Sequence, residues 1–149
     1  MFSRISKRLL PILLVVFMLV PMAMPAFAAA TGTHTPIEGV TVSVSGATDN
    51  SMTDGAVTVT AKGSAGFLGI GASAKTATIT IYNDSADTAT LSFNWAATSV
   101  NNLTIDGTVY TGASGTFSKV MAAGTSITAT ITTAKNATVN TLVMSNFAL

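Results

Sequence analysis

Lys75–Tyr82 reads KTATITIY, with Thr76, Thr78 and Thr80 alternating with Ala77, Ile79 and Ile81. A period of two puts the hydroxyls on one face of an extended strand and the apolar side chains on the other. The same alternation recurs on both sides of this stretch, in AVTVTA (56–61), TATLSFNW (88–95) and TSITATIT (125–132). Four such segments imply a set of half-buried β-strands with a hydroxyl-rich outer surface. β-Branched residues that pack well on a pleated sheet, and lose side-chain freedom in a helix, point the same way.

Working outward, KTATITIY and TATLSFNW flank NDSAD (83–87), which has the length and residues of a hairpin turn. Asp106-Gly107 within Leu103–Tyr110 is a two-residue type I′ signal, placing Ile105 opposite Thr108 and Leu103 opposite Tyr110. Tyr110 is therefore expected to face the core. Ala122–Thr125 (AAGT) turns the chain between Gly115–Met121 and Ser126–Thr133. Val40–Ser45 (VTVSVS) reads as a first strand, and 46–55, rich in Gly, Asn, Asp and Ser, as loop. Thr138–Phe147 closes the chain as a strand whose imperfect parity implies a bulge. Eight to nine short strands with regular turn signals predict an all-β fold, a two-layer antiparallel β-sandwich. A jelly roll or open barrel has the same spacing of signals.

The first residues belong to a different problem. Arg4, Lys7 and Arg8 precede the apolar run Leu9–Val20, and Ala26-Phe27-Ala28 is a small-x-small cleavage site. This pattern predicts a cleaved signal peptide over 1–28, a linker over 29–39 and the sandwich over 40–149, with secretion or cell-surface display and no stable membrane span after processing. The leader suits bacterial export.

Removing it changes the charge. Four lysines (Lys62, Lys75, Lys119, Lys135) then face six carboxylates (Glu38, Asp49, Asp54, Asp84, Asp87, Asp106), a net charge of −2 with no arginine. No basic stripe is left to neutralise phosphates, so a nucleic-acid partner is not expected. The absence of cysteine excludes disulfides, thiolate metal sites and a cysteine nucleophile.

Two segments carry a resemblance. TATITIYNDSADTATLSFNW (76–95) resembles the strand–Asn-rich turn–strand unit of immunoglobulin-like domains in bacterial surface proteins. GTFSKVMAAGTSITATIT (115–132) is similar to the aromatic strand, Ala-Gly turn and Thr-Ile strand that follow in those domains. The resemblance spans about 56–147 and implies an immunoglobulin-like sandwich of the kind repeated in adhesins and glycan-active surface proteins. Those modules are usually tandem, whereas this chain carries one copy.

Little in the chain suggests catalysis. His34, the only histidine, lies in the lead-in, and the six acids are scattered through turns, so no enzyme activity and no cofactor are expected. Asn83, Asp84 and Asp87 cluster in one turn, where they fit as turn formers better than as a set of Ca²⁺ ligands. GFLGIG (66–71) has the wrong glycine order for a nucleotide loop and no following Lys-Ser/Thr. Its Phe67, Leu68 and Ile70 either fold back to cap an open end of the sandwich, the commoner arrangement, or form a contact loop for a partner or membrane. Trp95 shares the parity of Leu91 and Phe93 and belongs to the core.

Tyr82 shares the parity of Thr76, Thr78 and Thr80, so these four make a candidate ligand face. Lys119 has the inward parity of Phe117 and Met121. Cysteine-free surface domains sometimes cross-link such a lysine to an asparagine; a bulge near Val120 or a lysine snorkelling from the rim explains it without chemistry. The expected function is structural or adhesive, with a polysaccharide or another cell-surface protein as partner. A carbohydrate-binding module is one alternative. A fibre subunit assembled by strand addition is another, motivated by the apolar, charge-free terminal strand.

Overall fold

The computed structural model describes residues 30–68, 70–99, 103–136 and 138–149. The expected signal peptide over 1–28 lies outside them. Among the described residues, eleven strands form two antiparallel sheets: β1 (Ala30–Ile37), β2 (Val40–Ala47), β3 (Asp49–Thr53), β4 (Ala56–Lys62), β5 (Thr76–Asn83), β6 (Ala89–Ala97), β7 (Leu103–Ile105), β8 (Thr108–Tyr110), β9 (Ser114–Met121), β10 (Ser126–Thr132) and β11 (Val139–Ala148). One sheet has the order β1-β2-β5-β10-β7-β8 and the other β3-β4-β11-β6-β9. The chain is an all-β sandwich.

Alternation determines which side chains meet between the sheets. Ala77, Ile79 and Ile81 of β5, Leu91, Phe93 and Trp95 of β6, and Ile127, Ala129 and Ile131 of β10 are all buried, as are Val57 and Val59 of β4. Phe93 lies at the centre, its ring 5.1 Å from that of Phe117 and 5.2 Å from that of Phe147. Withdrawing each large side chain from water contributes about 1.5–3 kcal/mol. Trp95 is 3% exposed and meets Tyr110 edge-on at 5.2 Å. The Asp-Gly hairpin pairs Leu103 with Tyr110 and Ile105 with Thr108, and Tyr110 packs against the core.

The strand count exceeds eight to nine for identifiable reasons. The lead-in expected as a linker is β1, which pairs along β2 from Ala30–Ala47 to Ile37–Val40. Its Pro36 lies at an irregularity in the pairing on an edge strand, where the missing N–H is tolerated. Asp49–Thr53, expected as loop, pairs with all of Ala56–Thr60 as edge strand β3. Its polar composition suits an edge, and the ladder offered by β4 outweighs the weak local preference.

β11 carries the expected bulge. Its register against β6 shifts between Ser145 and Ala148, and Asn146 takes φ 53°. That extra residue returns Phe147 to the buried face after Met144. The strand is not an edge, however. It lies between β4 and β6, hydrogen-bonded to both.

Asn83 fastens one end of the sandwich. Its Nδ2 donates to the carbonyls of Asp87 (3.0 Å), Met121 (3.1 Å) and Ala122 (3.3 Å), while Oδ1 accepts from the Ser85 N–H (3.1 Å) and hydroxyl (2.6 Å). One fully buried amide thus ties the β5–β6 turn to the β9–β10 turn and joins the two sheets. Asn83→Ala strands these partners and is expected to cost about 3 kcal/mol, measured by urea unfolding. Asn83→Asp should cost at least as much, because a carboxylate would face three carbonyl oxygens.

Packing is equally tight at Gly115, where an added Cβ would approach Trp95 Cζ2 to 2.8 Å. Gly115→Ala is expected to destabilise by about 1–3 kcal/mol by overpacking a buried ring, again read from the unfolding midpoint.

Candidate functional site

The outer face of the six-stranded sheet displays hydroxyls in rows that cross the strands. Thr80 pairs with Ser43 on one side and Thr128 on the other, and Ser43 pairs with Thr33. Thr78 lies between Ser45 and Thr130, and Thr130 pairs with Thr104. Thr76 faces Thr132 with their hydroxyl oxygens 3.2 Å apart. Tyr82 completes the set between Thr41 and Ser126.

The four face residues taken from the sequence, Thr76, Thr78, Thr80 and Tyr82, therefore share one strand and one face. The alternation gave no sign that β2 and β10 would flank them with hydroxyls in register. Neighbouring rungs of such a row stand roughly 4.8 Å apart across strands, and successive outward residues roughly 6.7 Å apart along them. The array is uncharged and built mostly from short, stiff side chains. Chemically it can donate and accept hydrogen bonds over an extended, gently twisted surface.

The opposite sheet is less regular. Its outer face mixes hydroxyls with Val143, Ala96 and the exposed Val120. Asn94 Oδ1 accepts from the Thr116 hydroxyl at 3.1 Å, so part of its polar surface is already satisfied internally.

The contact-loop residues lie at one end of the sandwich, on the 63–74 connection between β4 and β5. Phe67, Leu68 and Ile70 are 70%, 86% and 80% exposed. They do not cap the sandwich as the commoner arrangement requires. The reason is local: Phe67 and Ile70 exchange backbone hydrogen bonds (3.0 and 2.9 Å), and Ser64 and Ser73 do the same (2.9 and 3.2 Å). These two reciprocal pairs hold the ends and the tip of the segment as a hairpin, with its apolar side chains exposed.

Lys119 has inward parity but lies on edge strand β9, and its ammonium reaches Asp106 Oδ2 at 2.5 Å, with side chains 45% and 36% exposed. Its partner is an aspartate in the β7–β8 turn of the other sheet, so the lysine reaches outward from the rim, as the reading without cross-link chemistry has it, and not toward an asparagine. Among the described residues the buried asparagines, Asn83 and Asn140, are engaged elsewhere. Asn83 holds the turns described above, and Asn140 donates to Thr132 O (3.3 Å) and accepts from the Ser99 N–H (3.1 Å).

At the other lateral edge, His34 Nε2 and Asn50 Oδ1 are 2.8 Å apart, joining β1 to β3 across Gly32. His34 is thus a tie between sheet edges, a role invisible while 29–39 reads as linker. The carboxylates Glu38, Asp49, Asp54, Asp84, Asp87 and Asp106 stand at turns and strand ends. Among the described residues, no three His, Asp or Glu side chains form a group that could hold a metal ion. Among the same residues, no helix is long and apolar enough to cross a membrane.

The Lys119–Asp106 pair is expected to be a modest clasp. A double-mutant cycle with Lys119→Met and Asp106→Asn should give a coupling of about 0.2–1 kcal/mol that shrinks with added salt. A salt-independent coupling well above that range would contradict the exposed geometry.

No protein-family model, curated protein or solved structure matches the chain.

Proposed function

We propose that the processed chain is a secreted, non-enzymatic β-sandwich module with a structural and adhesive role at a bacterial cell surface. The outer face of the six-stranded sheet is its contact surface. The supporting observation is the cross-strand register of hydroxyls, in which Thr33, Ser43, Thr80 and Thr128 form one row and Ser45, Thr78, Thr130 and Thr104 the next. A rigid surface of uncharged donors and acceptors suits a polar polymer, because many weak hydrogen bonds form at once and little side-chain freedom is lost on contact.

The resemblance of 76–95 and 115–132 to immunoglobulin-like domains of bacterial surface proteins agrees with this reading. Sandwich folds host many activities, so the argument for function rests on the face.

Tyr82 favours a carbohydrate-binding reading within the same framework. Among the described residues it is the one aromatic on this face, 36% exposed and flanked by Thr41 and Ser126. An apolar ring beside hydroxyls is what a sugar ring stacks on. The fibre-subunit alternative loses its motive, since the terminal strand β11 is paired on both edges.

Affinity electrophoresis of the processed chain through gels containing cell-wall polysaccharides tests the proposal. Retardation is expected, weakened several-fold in Tyr82→Ala and in Thr80→Glu and unchanged in Ser92→Glu on the opposite sheet. Equal mobility of all four proteins with and without polysaccharide would count against this face.

A further inference from the structure

The two ends of the sandwich differ in charge and in apolar character. Lys62 ends β4, Lys75 immediately precedes β5, and Lys135 lies in the loop between β10 and β11. Backbone hydrogen bonds bring all three segments together: Gly63 N–H to Thr138 O (2.9 Å), Asn136 N–H to Ser64 O (3.0 Å) and Thr133 N–H to Lys75 O (2.8 Å). The apolar hairpin springs from this base. Asp49, at the start of β3, is the carboxylate at this end, while Glu38, Asp54, Asp84 and Asp87 lie in turns at the other end. The fourth lysine, Lys119, is matched by Asp106.

The hairpin itself is built for projection. An added Cβ at Gly63 would fall 2.2 Å from Ala134 O, and one at Gly66 2.3 Å from Ile70 O, so backbone packs on backbone at the root. Leu68 holds φ 51°, a conformation that favours Gly or Asn. A leucine in that position, almost wholly exposed, gains nothing for the fold by being apolar.

The route of the chain supplies the remaining argument. Ala30 pairs with Ala47, and the Lys62 N–H bonds to Thr48 Oγ1 at 2.9 Å, so the described chain begins at this same end. Nine residues separate the apolar run Leu9–Val20 from Ala30, a reach of at most ~36 Å. On the secretion proposed above, a bilayer that holds the leader during export is within reach of the basic, apolar-tipped end.

We infer that this end is a membrane-docking surface: Phe67, Leu68 and Ile70 enter the interface of an anionic phospholipid bilayer while Lys62, Lys75 and Lys135 meet its headgroups. Apolar insertion and lysine attraction to an anionic leaflet add. The opposite, acidic end is repelled, so the sandwich stands on its tip and leaves the hydroxyl face free. The inference is independent of what that face binds.

The test uses residues 29–149, the chain as cut at the expected cleavage site, which hold every core residue among those described, with circular dichroism checking that they fold as β-sheet. Co-sedimentation is measured with vesicles of phosphatidylcholine alone or mixed with phosphatidylglycerol. The chain is expected to pellet with the mixed vesicles, less so as salt is raised. Phe67→Thr with Leu68→Asn keeps a residue suited to positive φ at the turn and should weaken binding on the order of tenfold. Lys62→Glu with Lys135→Glu should remove the preference for the anionic lipid.

Absence of binding to the mixed vesicles, or unchanged binding by the tip variant, would overturn the inference. So would binding to an anionic wall polymer without binding to vesicles. Sedimentation-velocity oligomers that disappear in the tip variant would overturn it too, by assigning the tip to a second copy of the chain.

Discussion

Ile79, Ile81, Leu91, Phe93, Ile127, Ile131, Leu142 and Met144 are withdrawn from water between the two sheets. Each lies on a strand whose side chains alternate, so burying them obliges the threonines and serines between them to face outward. The hydroxyl face follows from the core pattern, and a shift of one residue in any pairing would exchange the two. That coupling explains how a surface of regular rows arises from strands far apart in the chain. Thr33, Ser43, Thr80 and Thr128 align because Val42, Ile79, Ile81 and Ala129 pack opposite them.

Apolar burial alone leaves the margins of a sandwich open, and polar contacts close them here. His34 with Asn50 joins the β1 and β3 edges, Lys119 with Asp106 joins β9 to the β7–β8 turn, and Asn83 ties two turns at one end. These ties differ in weight. Asn83 is fully buried and makes bonds through both its oxygen and its nitrogen, so it matters most to stability. The exposed ion pair between two sheet edges adds little. At the remaining end the buried Asn140 ties β11 to β10, and beyond it lie the most exposed large apolar side chains among the described residues.

Much of this was legible in the sequence because it depends on neighbours. Period-two parity located Ile79, Leu91, Trp95 and Ile127 in the core, Asp106-Gly107 fixed the register of its hairpin, and the parity break in Thr138–Phe147 marked a bulge that Asn146 supplies. What depends on partners remote in sequence was not legible. Asp49–Thr53 has loop composition and becomes a strand only because β4 offers it a ladder. Nothing local to Thr138–Phe147 reveals that two other strands cover both its edges. Lys119 has inward parity, and a rim lysine is one reading of it, but its partner Asp106 lies in the other sheet and could not be read from the sequence. Of the candidate face, one strand could be read; the rows across it required strand order.

The chain contains no cysteine, so an introduced one reports on its own position alone. Single variants Thr78→Cys, Ile79→Cys, Thr80→Cys and Ile81→Cys sample four successive residues of β5. Rates of native-state labelling with a maleimide measure directly which way each side chain points. The account predicts fast labelling at 78 and 80 and slow labelling, limited by unfolding, at 79 and 81. Uniform rates along the four, or the opposite alternation, would contradict it.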